Sequence, residues 1–200
     1  MKLFLFRQRE QSKNFFVWHR QLAFARPLRY AGGMLSVIIE TQNDEDPLAR
    51  TLASLVGAAV EGAVREVIVC DRGSSDSTAR VADHAGCTLI AGKIGQAIER
   101  AKSDWLLVIE PGARPLEGWA EHVAGHLAHQ TIAARFSRST EDRLPFLARI
   151  FSSKRALAEG LLITRKQAAG LARKAETADD LARGVAMKRL AARIAVAPQR

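Results

Sequence analysis

Cysteine occurs twice and tyrosine once in these 200 residues, and no apolar run approaches the roughly 20 residues that a bilayer-spanning helix needs. A Gly-x-Gly-x-x-Gly after a strand, a P-loop and a Gly-x-Ser-x-Gly elbow are all missing, so dinucleotide, NTPase and hydrolase readings lack their carriers. The basic start leads into no clean apolar segment with a small-residue cleavage site, which argues against a secretory signal and for a cytoplasmic protein. Cys70 and Cys87 both fall in predicted strands. They read as small buried thiols of a reducing compartment, with a disulfide between them as the lesser reading. No internal repeat or low-complexity tract is visible.

What is present is an ordinary globular composition, 48% hydrophobic and 26% charged, with a formal charge of +9. The charge is unevenly placed. Residues 1–33 hold seven basic side chains against Glu10 alone, a net +6, which leaves +3 for the other 167 residues. A basic arm on a nearly neutral domain suits contact with acidic surfaces, including headgroups at the inner face of a membrane. A nucleic-acid groove would interleave basic and aromatic residues on the fold itself, and that pattern is absent. Met34 opens the first strand. The expected division is therefore an arm over 1–33, solvated and partly disordered, and one domain over 34–200. Deleting the arm is expected to leave the melting temperature unchanged.

From Leu35 onward, apolar strands alternate with helices. Leu35–Ile39, Glu66–Cys70, Thr88–Ala91 and Trp105–Ile109 are strand-like runs. Helices are expected from Pro47, with Asp46 as its cap, from the Ser75-Asp76-Ser77-Thr78 cap cluster to Gly86, and over Gly95–Lys102. Short connections between alternating elements imply right-handed crossovers and a parallel sheet. Beyond Pro115 come an amphipathic helix over Leu116–His129, a basic stretch with an apolar patch at Leu144–Phe151, and a strand at Leu161–Thr164. Helices at about Arg165–Arg173 and Ala178–Ala192 and a short strand at Ile194–Val196 end the chain. Three strands deliver polar residues at their carboxyl ends, where ligands of parallel sheets bind: Thr41-Gln42-Asn43-Asp44, Asp71-Arg72-Gly73-Ser74-Ser75-Asp76, and Glu110-Pro111-Gly112.

Those three turns carry a resemblance to the family 2 glycosyltransferases. Asp71-Arg72-Gly73-Ser74-Ser75-Asp76-Ser77-Thr78 resembles the family's Asp-Asp-Gly-Ser-Ser-Asp-Gly-Thr. Glu40-Thr41-Gln42-Asn43-Asp44 stands where Pro-Thr-Tyr-Asn-Glu is usual, and Ile109-Glu110-Pro111-Gly112 where Leu-Asp-Ala-Asp is usual. The likeness covers most of residues 34–198. It implies an α/β, three-layer GT-A-like fold with a mostly parallel sheet, and transfer of a sugar from a nucleotide-sugar donor to an unknown acceptor. By the same resemblance Thr41, Asn43, Asp71 and Asp76 would face the donor, Glu110 would hold Mg2+ or Mn2+, and Asp180 would be the catalytic base.

Departures favour a second reading. Gly112 replaces the second metal-binding aspartate, Arg72 replaces one of a pair of aspartates near the base, and Gln42 replaces an aromatic. Arg72 or Arg114 would be able to pair with a diphosphate in place of a metal. The alternative is a non-catalytic binding or partner module that keeps the GT-A fold and has lost the metal site; under the transferase reading, a partner chain would be able to complete the acceptor site. Asp71 and Asp76 also suit plain turn and cap roles, and Asp179-Asp180 a helix start. His122, His126 and His129 share one face of a helix at a spacing that zinc uses, although an exposed polar face is the simpler account.

Overall fold

The computed structural model describes residues 35–139 and 155–198. The basic arm and the Leu144–Phe151 patch lie outside the described residues. Four parallel strands form the first half of the sheet: β1 (Leu35–Thr41), β2 (Val64–Asp71), β3 (Thr88–Ala91) and β4 (Trp105–Ile109). The helices between them are α1 (Glu45–Val60), α2 (Thr78–His84) and α3 (Ile94–Arg100). The second half is mixed. It contains β5 (Arg114–Pro115), β6 (Ala134–Arg138), β7 (Leu161–Thr164) and β8 (Lys188–Ala195), with α4 (Trp119–His129), α5 (Arg165–Ala172) and α6 (Ala178–Arg183). The strand order is β3-β2-β1-β4-β7-β6-β8-β5, with β7 antiparallel to β4 and β6 parallel to β8.

Two apolar layers explain why the central strands are continuous hydrophobic runs. Val37, Ile39, Val67, Val69, Leu107 and Ile109 pack with α1 and α4 on one face. Ile38, Ile68, Cys70, Leu106 and Val108 pack with α3, α5 and α6 on the other. Burial of each such aliphatic side chain contributes about 1.5–3 kcal/mol, which fixes the strands in register. Consequently the carboxyl ends of β1, β2 and β4 lie along one edge, and β7 starts beside them because it runs antiparallel to β4.

Several boundaries differ from the sequence expectation. Helix α1 begins at Glu45 behind Asp44, so Asp46 is inside the first turn and Pro47 at its third position, where a missing N–H costs nothing. The predicted helix Ala178–Ala192 stops at Arg183, and Lys188–Ala195 is a strand. Leu190, Ala192 and Ile194 alternate inward there, so period-two burial overrides the helix-forming alanines and arginines. Strand β6 was not foreseen at all. Phe136 is its one large apolar residue, buried between Ala134 and the arginines. Cys87 precedes β3 rather than lying in it, and both cysteines are free. Burial pushes the Cys70 thiol up to about 11 and Cys87 up to about 12, so neither is a nucleophile at neutral pH. His126 is buried, with Nε2 at 2.8 Å from the Ile132 carbonyl and its ring edge-on to Trp105. It therefore does not share an exposed face with His122 and His129. No helix among the described residues is long and apolar enough to cross a membrane.

Candidate functional site

Parallel pairing sets Thr41 beside Asp71 at the tips of β1 and β2. The Thr41 hydroxyl donates to Asp71 Oδ1 at 3.1 Å, the Ser74 amide donates to Oδ2 at 3.0 Å, and the Ser74 hydroxyl also donates to Oδ1. Asn43 adopts a left-handed backbone (φ 56°), donates its amide to Ser74 Oγ at 2.9 Å and accepts the Ser75 amide at 2.8 Å on its side-chain oxygen. Short polar side chains tolerate that conformation because they can bond locally. Asp76 accepts the Thr78 amide and hydroxyl on Oδ1, at 3.0 and 2.6 Å, and the Glu45 amide on Oδ2 at 3.1 Å. The Thr78 hydroxyl bond is the main reason its carboxyl lies below the usual range. Thr41, Asn43, Asp71 and Asp76 are thus gathered in one cross-bonded loop pair, and part of their bonding capacity serves the loops themselves.

A second group of charges lies on the neighbouring tip. Glu40 and Glu110 follow the paired residues Ile39 and Ile109 of β1 and β4. Glu40 Oε2 accepts the Ala178 amide at the start of α6 at 3.0 Å, whereas the buried Oε1 has no hydrogen-bond partner. Burial raises the Glu40 carboxyl, the Ala178 bond and Arg72 pull it down, and Asp180 and Asp179 push it up again. Glu110 is also raised chiefly by burial, against the nearby charge of Arg155. Arg155 Nη1 lies 3.0 Å from Glu110 Oε2, and its Nη2 donates to the Ala197 carbonyl at 2.7 Å. The Glu110 contact is a charge pair without hydrogen-bond alignment, so Oε2 keeps an open acceptor site.

Asp180 is the third residue of α6. Its Oδ2 accepts the Thr177 amide at 3.1 Å, the Thr177 hydroxyl at 2.8 Å and the Glu176 amide at 3.3 Å, closing a capping box. The Thr177 hydroxyl leads the causes that lower its carboxyl. Asp179 holds the Leu157 amide at 2.9 Å and pairs with Arg183 at 2.7 Å. Sequence reasoning missed Arg155, which lies 45 positions from Glu110 and carries no local signal. It also passed over Glu40, where an acid ending an apolar strand was a usable sign.

Among the described residues no ready-made cation shell stands at the strand tips. Mg2+ and Mn2+ sites use one or two carboxylates together with substrate phosphates, and Glu110, the acid at that position, already faces Arg155. Gly112 has φ 94°, and a Cβ there would lie 3.4 Å from Ala197, 3.5 Å from Pro198 and 3.6 Å from Pro47. No group of three or more His, Cys, Asp or Glu among the described residues is arranged around a metal position. Gly112→Asp is therefore expected to cost roughly 1–3 kcal/mol in backbone strain and to create no Mn2+ affinity. Thermal melts with and without Mn2+ check both parts.

Glu40 allows a further prediction. Because its folded-state pKa is raised, the folded protein binds more protons than the unfolded chain between the two pKa values. Stability then falls as pH rises through that window. A glutamine keeps an acceptor for Ala178 and removes the buried charge. Glu40→Gln should raise the melting temperature at pH 7–8, with the gain fading towards pH 4.

Two open grooves, of about 710 and 520 Å3, lie away from this edge. They run past Trp105, Asp104 and Arg165 at the amino end of β4, and on to Gly170 and Val185. The larger hollow is thus not where the shifted carboxylates gather. The strand tips bring together the buried carboxyls of Glu40 and Glu110, both raised chiefly by burial, and such groups cluster where chemistry is done.

Residues 36–180 match Glycosyl transferase family 2. Among solved structures, the chain is similar to Mycobacterium tuberculosis glucosyl-3-phosphoglycerate synthase in complex with Mn2+, UDP-glucose and phosphoglyceric acid. That likeness has a TM-score of 0.53 and 20% identity, and covers 69% of this chain and 59% of that one. It is also similar to mannosyl-3-phosphoglycerate synthase from Rubrobacter xylanophilus, with a TM-score of 0.53 and 16% identity over 68% of this chain and 55% of that one. The chain spans less than two thirds of the length of these enzymes. No curated protein sequence matches it. With its three layers and its polar strand tips on one edge, the chain belongs to glycosyl transferase family 2 and has the GT-A fold.

Proposed function

We propose that this chain binds a nucleotide-sugar donor at the tips of β1, β2 and β4 and transfers the sugar to an acceptor hydroxyl. The observation that carries this reading is the cross-bonded pair of loops at Thr41–Asp44 and Asp71–Thr78, set at the carboxyl edge of adjacent parallel strands. Polar groups of Asn43, Asp71 and Asp76 supply donors and acceptors for the base and ribose. The Arg155 guanidinium, beside Glu110, provides positive charge at the strand tip for the diphosphate, since its fork matches phosphate geometry. Loss of the acceptor proton requires a carboxylate with an open lone pair. Asp180 has one oxygen engaged by three donors, whereas Glu40 leaves Oε1 open, so Glu40 joins Asp180 as a candidate base.

UDP-glucose is the first donor to try, because the M. tuberculosis neighbour was crystallised with it. At a hundred times its dissociation constant a donor stabilises by about 2.7 kcal/mol. The expected result is a clear rise in melting temperature with one of the UDP-, GDP- or dTDP-sugars, unchanged by EDTA. No rise with any of them, with or without Mn2+, overturns the proposal.

The second reading, a non-catalytic module on the same fold, is favoured by the use of Asp180 as a helix cap. Turnover separates the two. Donor hydrolysis or transfer that falls at least a hundredfold in Glu40→Gln or Asp180→Asn supports an enzyme, and donor binding without any turnover supports the module.

A further inference from the structure

Glu159 is surrounded by more positive charge than it can neutralise. Arg135 Nη1 lies 3.3 Å from its Oε2, Arg189 Nη2 lies 3.6 Å from Oε2, and Arg138 Nε lies 3.8 Å from Oε1. Three guanidiniums thus converge on one carboxylate, an excess of two positive charges. Arg135 and Arg189 are direct cross-strand partners in the β6–β8 register, an arrangement of like charges that is unfavourable by itself. Neither the buried Arg135 Nε–H nor the buried Glu159 Oε2 has a hydrogen-bond partner, so these charges lie close together without satisfying one another's hydrogen bonds. The three arginine side chains remain 38–58% exposed, against 16% for Glu159, so a ligand can reach them.

The cluster is rigidly placed beside the strand tips. The Phe136 amide donates to the Glu159 carbonyl at 3.0 Å. The next residue, Gly160, is pressed so closely against β4 that a Cβ would lie 3.1 Å from Ile109 Cγ2. The charge of Arg138 also reaches Glu110. The anion-deficient arginines therefore adjoin the proposed donor edge without belonging to its loop pair.

We propose that Arg135, Arg138 and Arg189 bind the phosphate group of a small phosphorylated acceptor. A phosphate monoester carries close to two negative charges at neutral pH and three acceptor oxygens, which matches both the charge excess and the fork geometry. A single carboxylate matches less well. The acceptor role rests on the transferase reading of the neighbouring edge, whereas the anion site itself does not.

The test measures binding to the full chain by calorimetry at fixed ionic strength. The probes are glycerol 3-phosphate, inorganic phosphate, acetate and uncharged glycerol, with UDP-glucose run separately. Glycerol 3-phosphate is expected to bind, inorganic phosphate to compete with it, and acetate and glycerol to have no effect. Arg189→Gln is mostly exposed and should fold; it is expected to weaken glycerol 3-phosphate at least tenfold, with Arg138→Gln as the second variant and donor affinity unchanged in both. Binding of inorganic phosphate alone would overturn the acceptor assignment, as would phosphate binding by a chain that takes up no nucleotide sugar. Absence of all phosphate binding, or binding untouched by both variants, would overturn the site itself while leaving the donor reading standing.

Discussion

Replacing Asp71 with alanine is expected to lower the melting temperature by roughly 5–12 °C and to abolish the response to nucleotide sugars. The carboxylate is almost fully buried, and it accepts the Thr41 hydroxyl, the Ser74 amide and the Ser74 hydroxyl. Removing it strands a buried hydroxyl and a part-buried amide, a loss of about 2–4 kcal/mol once charge-assisted bonds are counted. For a domain of this size each kcal/mol shifts the transition by about 2–4 °C. The loop pair would also lose its cross-bond, because Ser74 Oγ accepts the Asn43 amide. Asp71→Asn keeps one acceptor oxygen and should lose less. Calorimetry of both variants, with and without donor, checks the ordering.

Arg155→Gln should have the second largest effect. Glu110 is largely buried and Arg155 is its nearest compensating charge, so truncation leaves a carboxylate in a poor environment. Breaking fully buried pairs costs more, but Arg155 is 30% exposed, and about 2 kcal/mol is the reasonable size. The sign with pH is fixed. Burial already raises the Glu110 carboxyl, and losing Arg155 raises it further, so the penalty grows as pH rises through that raised value. Below the ordinary carboxylate range the acid is neutral in both states and the penalty disappears. Melting curves for Arg155→Gln between pH 4 and pH 8 should therefore diverge from the native protein only on the alkaline side. Adding Glu110→Gln should recover most of the loss.

Much of the donor edge was legible because burial on both faces leaves a continuous apolar signature. Ile38 and Ile39 face opposite layers, and so do Ile68 and Val69, so strands such as Leu35–Ile39 and Trp105–Ile109 read plainly. Their polar ends were equally visible, since Glu40-Thr41-Gln42-Asn43-Asp44 follows the first and Glu110-Pro111-Gly112 the second. The second half hid itself for definite reasons. In Lys188–Ala195 the inward positions are Leu, Ala and Ile and the outward ones include Arg and Lys, a mixture that helices share. His126 has the helical spacing of a surface stripe, yet its ring fills space against Trp105. The ion pair between Glu110 and Arg155, and the three arginines on Glu159, join residues distant in sequence. Only the packing of β6, β7 and β8 beside β4 brings them together.

The central claim is that a nucleotide sugar sits on the carboxyl edge of β1, β2 and β4. Amide chemical shifts of 15N-labelled protein, followed while UDP-, GDP- and dTDP-sugars are added, test it most directly. The account predicts saturable shifts with one donor, concentrated at Asn43, Arg72 to Ser75 and Gly112, with the amides around Trp105 and Gly170 unmoved. Shifts confined to the Trp105–Val185 grooves, or none with any donor, would contradict it.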